Sequence, residues 1–283
     1  MDTGFPTRAC AASRLSLAQL TINEACGSAL VEAAATAGFD AVGLRVVSPA
    51  GVAQHAPIAG NEASLREVER SLAATGLSVL DVNSFWITPQ TRAENVKPVI
   101  DAAVRLRAPW ILVVIDDREL TRGTETFAAC CELADIAGIG IALEFQPYGA
   151  VRSLGAARDI VRVSGRSNVG IVLDTLHFCR SGGQASEIAA LPADALAFVQ
   201  ICDALLRPPP LEELRLESRG GRLYPGEGEL PLFELMEALP EGITLDVETP
   251  NRRAAHLPAV EQARLSAAAT RRFLADWKVA KTA

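Results

Sequence analysis

Apolar and polar positions follow two rhythms along this chain. Short runs rich in Val, Ile and Leu fall at residues 15–20, 41–46, 78–82, 110–115, 139–145, 169–174, 197–201 and 243–248, each too short for a stable helix. Between them lie Ala- and Leu-rich stretches whose apolar residues recur every three or four positions. These predict helices over about 24–37, 62–75, 93–106, 124–137, 154–163, 185–191, 232–239 and 260–277. Gly38, Gly76 and Gly138 each follow such a stretch, where a left-handed residue ends a helix.

Eight strands alternating with eight helices in 283 residues match the (β/α)8 TIM barrel in count and length, as a single domain over residues 1–283. A doubly wound open sheet is the alternative, because periodicity does not show closure. No GxGxxG follows the first strand, which counts against that sheet and against dinucleotide binding. Residues 205–223 carry Pro208, Pro209 and Pro210 and a run of mixed charge, and read as a long loop after the seventh strand that holds one short helix.

Hydrophobic residues make up 49% of the chain and charged ones 22%, enough to bury a large core. A net charge of -7 provides no basic field for a phosphate backbone, so nucleic acid is not the expected partner. Six cysteines without CxxC spacing read as reduced thiols. With no signal-like start and no run of eighteen apolar residues, a cytoplasmic protein without a membrane partner is expected.

The chemistry of a barrel gathers at the C-terminal ends of its strands. The last four strands close there on polar residues: the fifth on Glu144, the sixth on Asp174, the seventh on Gln200 with Asp203 beyond it, the eighth on Glu248. Carboxylates closing apolar strands are costly to bury without a cation, and neither Lys nor Arg occupies these strand ends. Oxygen ligands converging on one rim suit a hard divalent cation. The alternative is that each acid caps a helix or faces solvent.

At these residues the chain resembles the sugar phosphate isomerase/epimerase group of the xylose-isomerase-like barrel superfamily. The likeness runs from SLAQLT to the last helix and is carried by LEFQP, VLDTLHF, VQICDA, YPGEGELPL and LDVETP in that order. The resemblance implies a metal site of Glu144, Asp174, Gln200 and Glu248, with Glu144 and Glu248 also the acid/base pair and His177 reaching the substrate. Many members carry His where this chain has Gln200; an all-oxygen shell favours Mn2+ or Mg2+ over Zn2+, with Co2+ still open. The arginine that holds substrate in related ketose epimerases has Arg207 as its nearest counterpart, slightly displaced, and Pro147, Tyr148 and Arg152 stand where an acid would be.

A proton beside a sugar carbonyl is weakly acidic, and the enediolate left by its removal needs its charge held, which a Lewis acid does. Glu144 and Glu248 come from strands separated by two others, so one can remove a proton and the other return it. Arg222 is a candidate for an anionic substrate group and Trp86 for an apolar wall over a sugar face; core packing explains Trp86 equally well. Asp203 either supports a ligand or caps the loop, and Gly226 and Gly228 read as turn residues. His55 and His256 are expected to face solvent.

The expected function is a metal-dependent isomerase or epimerase of a small carbohydrate-like molecule. A lyase or dehydratase acting on a keto-sugar or inosose shares every residue named. Repair chemistry of the endonuclease IV kind needs far more than three histidines. A non-catalytic carbohydrate-binding protein would need no metal. Whether the chain forms a homo-oligomer is left open.

Overall fold

The computed structural model describes residues 14–48 and 57–282. Its strands are β1 (Leu15–Leu17), β2 (Ala41–Arg45), β3 (Ser78–Ile87), β4 (Trp110–Ile115), β5 (Gly140–Glu144), β6 (Val169–Asp174), β7 (Leu196–Ile201) and β8 (Leu245–Val247). Each pairs in parallel with its neighbour in sequence, and β8 pairs in parallel with β1, so the sheet closes into a barrel. Around it lie α1 (Ser28–Thr36), α2 (Glu62–Thr75), α3 (Lys97–Leu106), α4 (Leu120–Ile136), α5 (Leu154–Ser164), α6 (Thr175–Arg180), α7 (Ala185–Ala189), α8 (Leu214–Ser218), α9 (Leu232–Ala238) and α10 (Ala259–Thr282). This is the (β/α)8 TIM barrel that the alternation predicts. Among the described residues, no helix is long and apolar enough to cross a membrane.

Both faces of the strands are buried, and period-two alternation divides their residues between two cores. Ile141, Leu143, Ile171, Leu173, Val199 and Val247 point outward into the main core beneath the helices. Ala142, Val172 and Phe198 point inward, packed with Leu112, Val114 and Trp110. Two residues further along the same inward rows come Glu144, Asp174 and Gln200, and Glu248 follows Asp246 in the same way. Cross-strand register aligns Asp174 with Gln200 and Gln200 with Asp246. The polar ring at the barrel mouth thus continues a hydrophobic core by one more step.

Several bounds differ from the sequence reading. β3 runs to Ile87 although the polar pair Asn83 and Ser84 interrupts its apolar run; the strand shifts register there and continues along β4. α6 was not expected. It starts because Asp174, at the end of β6, accepts the His177 backbone N–H at 2.9 Å and so caps a helix directly off the strand. Residues 205–223 hold a 3-10 turn, Leu211–Glu213, running into α8.

Candidate active site

A cavity of about 270 Å3 opens at the C-terminal mouth of the barrel. Glu144, Gln200 and Glu248 line it, with His177 from α6, Trp86 from β3 and Tyr148 from the loop after β5. Asp174 does not line the cavity itself; it accepts hydrogen bonds from the His177 backbone N–H and from Arg222.

Lys and Arg are absent from the ends of β5 to β8 themselves, and the cation that serves them is Arg222, from elsewhere in the chain. It arrives from the turn after α8, where the chain bridges Gly221 to Asn251 and Leu223 to Asp203. Although 1% exposed, it is fully engaged: Nε donates to the Ser218 carbonyl at 2.9 Å, Nη1 to Asp174 Oδ2 at 2.6 Å, and Nη2 lies 3.0 Å from Glu248 Oε2. The residue expected to hold a substrate anion therefore holds two carboxylates of the protein.

The remaining contacts knit the ring together. Gln200 Nε2 donates to Glu248 Oε1 at 3.1 Å, and Gln146 Nε2 to Glu144 Oε2 at 3.1 Å. His177 Nε2 stands 3.8 Å from Glu144 Oε1, too far for a hydrogen bond. The Tyr148 ring meets His177 edge-on with centroids 5.5 Å apart, and its hydroxyl lies 2.8 Å from Ser218 Oγ.

Burial, aided by the charges of Glu248 and Asp174, pushes Glu144 well above the usual carboxylate range. Burial also raises Glu248, to about 8, against the pull of Arg222. Asp174 is equally buried, yet Arg222, His177 and a backbone N–H outweigh that and hold it below its ordinary value. The two carboxylates on one guanidinium differ because Asp174 has the shorter bond and the extra N–H, while Glu248 also feels Asp174 and Asp246. Burial lowers His177 to about 4, so its imidazole is neutral near pH 7.

This donor set fits a divalent cation. Ligand atoms of Glu144, Asp174 and His177 lie within 4.8 Å of one another, a group that takes in His177 and not the expected Glu248. The Gln200 Oε1 atom is a buried acceptor with no hydrogen-bond partner. Arg222 pairs with Asp174 and Glu248 and not with Glu144, whose charged form a bound cation would stabilise.

Other expected residues fall elsewhere or have another role. Arg207 stays exposed, outside the cavity. Arg180 grips the carbonyls of Leu205 and Leu206, and the prolines after Arg207 lead the chain away. Trp86 does form part of the cavity wall, its Nε1 donating to Ser84 Oγ at 3.0 Å. Asp203 caps the loop: its carboxylate accepts the backbone N–H groups of Ala204, Gly226, Gly228 and Leu230. A Cβ at Gly228 would overlap that carboxylate, so this glycine is required for the turn. His256 is exposed, and His55 lies outside the described residues.

Sequence reasoning missed Arg45 and Gln146 in the cavity wall, and Asp81 and Asp246 deeper inside the barrel. Asp246 was legible, since it sits two residues before Glu248 and must share its face.

Residues 31–275 match the family model of the xylose isomerase-like TIM barrel. An inosose isomerase from Halalkalibacterium halodurans is 29% identical over 155 residues, covering 51% of this chain and 53% of that protein. A 3-dehydroshikimate dehydratase from Pseudomonas aeruginosa is 28% identical over 215 residues, covering 71% of this chain but 32% of that protein. The chain thus spans about half of the one relative and a third of the other. In fold it resembles a crystal structure of the IOLI protein with a bound zinc atom, at TM-score 0.76 and 19% identity over 93% of this chain and 99% of that one. With its closed barrel and a matching region of this extent, the chain belongs to the xylose isomerase-like TIM barrel family.

Proposed function

We propose that the chain is a divalent-metal-dependent isomerase or epimerase acting on a sugar, cyclitol or related hydroxy ketone. The supporting observation is the convergence of Glu144, Asp174, Gln200 and Glu248, from four successive strands, on one buried cluster around Arg222. Those four residues would hold the cation, with Mn2+ or Mg2+ matched to their oxygen donors. A bound divalent ion supplies Lewis acidity that stabilises charge developing on substrate oxygens.

The chain's own groups move the proton. One of Glu144 and Glu248, ionised, takes the proton from the carbon beside the carbonyl, and the other, protonated, returns one. Burial raises both above the usual carboxylate range in the metal-free protein. Neutral His177 offers a ring N–H to a substrate oxygen, and Trp86 shields one side of the cavity from water. The described cysteines are unpaired, which suits a single-domain protein of the reducing cytoplasm.

A second reading is favoured by the longer stretch of similarity to the dehydratase, 71% of this chain. There the same proton is removed, the C–O bond at the next carbon breaks, and the departing hydroxide takes a proton from the cavity acid and leaves as water. Glu248→Gln tests the shared step: the variant should fold yet lose exchange of the α-proton with deuterated solvent. Undiminished exchange removes Glu248 from the chemistry. An enone absorbing in the ultraviolet separates elimination from isomerisation.

A further inference from the structure

The acids of the cavity lie on its floor, and its unmatched cations lie on its rim. Arg45 ends β2, half-buried, with Nη1 donating to Asn23 Oδ1 at 3.2 Å and a buried Nε that has no hydrogen-bond partner. Arg219, exposed just after α8, lines the same cavity. Burial disfavours the charged form of Arg45; the charge of Glu248, beyond ion-pair range, favours it, and the positive charge of Arg219 opposes it to a smaller extent. Among the described residues, no carboxylate forms an ion pair with either arginine, whereas Arg222 holds two. Asn83, Ser84 and Trp86, which border this side of the cavity, are neutral. Arg45 and Arg219 thus line the cavity as two guanidiniums that no carboxylate pairs among the described residues, whereas Arg222 is taken up by Asp174 and Glu248.

We propose that Arg45 and Arg219 bind a carboxylate carried by the substrate, so that the enzyme acts on a hydroxy-keto acid rather than a neutral sugar or cyclitol. This deepens the functional reading above and rests on it. A cavity of about 270 Å3 has little room beyond a molecule of monosaccharide size. Arg45, with Nη1 held by Asn23, keeps a buried Nε without a hydrogen-bond partner, and a guanidinium pairs in plane with both oxygens of a carboxylate. The substrate then spans the site, with its carboxylate at the rim and its carbonyl and hydroxyls above the acids.

Calorimetric titration of the full chain in excess Mg2+ with three probes tests this: quinate, a polyhydroxylated six-membered ring bearing a carboxylate; myo-inositol, a similar ring without one; and inorganic phosphate. The expected result is quinate binding at least about tenfold tighter than myo-inositol, as charge-assisted hydrogen bonds warrant. That preference should shrink with added NaCl and vanish in Arg219→Gln, whose site is exposed enough to leave folding intact, and in Arg45→Gln. Equal affinity for the two rings, or a preference that survives in both variants, overturns the carboxylate site and leaves the polyol cavity standing. If neither ring binds, both readings fall. Phosphate binding that depends on the two arginines, without a preference for quinate, assigns the rim to phosphate and overturns the proposal.

Discussion

The Arg222 guanidinium lies 2.6 Å from the Asp174 carboxylate, and solvent reaches neither side chain appreciably. A loop far along the chain thereby clamps the end of β6, and through Nη2 the residue after β8 as well. Breaking one side of such a buried pair leaves an uncompensated charge, which costs about 3–5 kcal/mol. Arg222→Met should therefore lower the melting temperature of the metal-free protein by roughly 10 °C, and adding Asp174→Asn should recover part of the loss. A fall of only a degree or two in thermal unfolding would show that the pair does not hold the mouth together.

Asp203 makes a separate prediction about the loop that delivers Arg222. Its carboxylate accepts four backbone N–H groups, three of them from residues 226, 228 and 230. Asp203→Ala should cost about 2–4 kcal/mol and expose Glu227 and Glu229 to a Glu-specific protease. Asp203→Asn should lie between the variant and the wild type. Resistance of the alanine variant to cleavage would mean that the loop is held by other contacts.

The interior acid Asp81 gives a pH dependence. Burial, opposed by the Asn83 hydrogen bond and assisted by the charge of Glu144, raises it to about 7. In the unfolded chain it returns to about 3.9, so between those values the folded state binds more protons. Its favourable contribution is complete below the unfolded value and is lost as pH rises through the folded one. Urea unfolding in EDTA should show Asp81→Asn gaining about 2–3 kcal/mol on the wild type between pH 5 and pH 8. A difference that does not change with pH contradicts the burial of an ionisable carboxyl there.

The parts of the site legible in the sequence were those that local periodicity determines. Strand bounds 110–115 and 169–174 and helix 62–75 coincide with the structure, and each inward row that ends on Glu144, Asp174, Gln200 or Glu248 can be counted off in twos. Arg222 was placed near the site, but its pairing with Asp174 and Glu248 was not legible. Its reach depends on the fold of the 205–223 loop, set by contacts to Asp203 and Asn251 across the barrel mouth. Arg207 was the reverse case, close in sequence to β7 but led outward. Asp81 and Asp246 escaped notice because an acid amid a strand ordinarily marks a solvent face, and a closed barrel has none inside.

Gln200 tests the identity of the ion. Its Oε1 has no partner, and an imidazole in its place adds a nitrogen donor to three carboxylates. Gln200→His should fold and shift the preference of the site from Mn2+ toward Zn2+ in competition titrations. Loss of folding would mean that Gln200 serves packing.

Glu144, Asp174, Gln200 and Glu248 are proposed to share one divalent ion. Titration of the EDTA-dialysed protein with Mn2+, followed by electron paramagnetic resonance, tests it most directly. One ion should bind per chain, with affinity reduced at least about tenfold in Asp174→Asn and in Glu144→Gln. No saturable binding, or binding that both variants leave unchanged, would contradict the account.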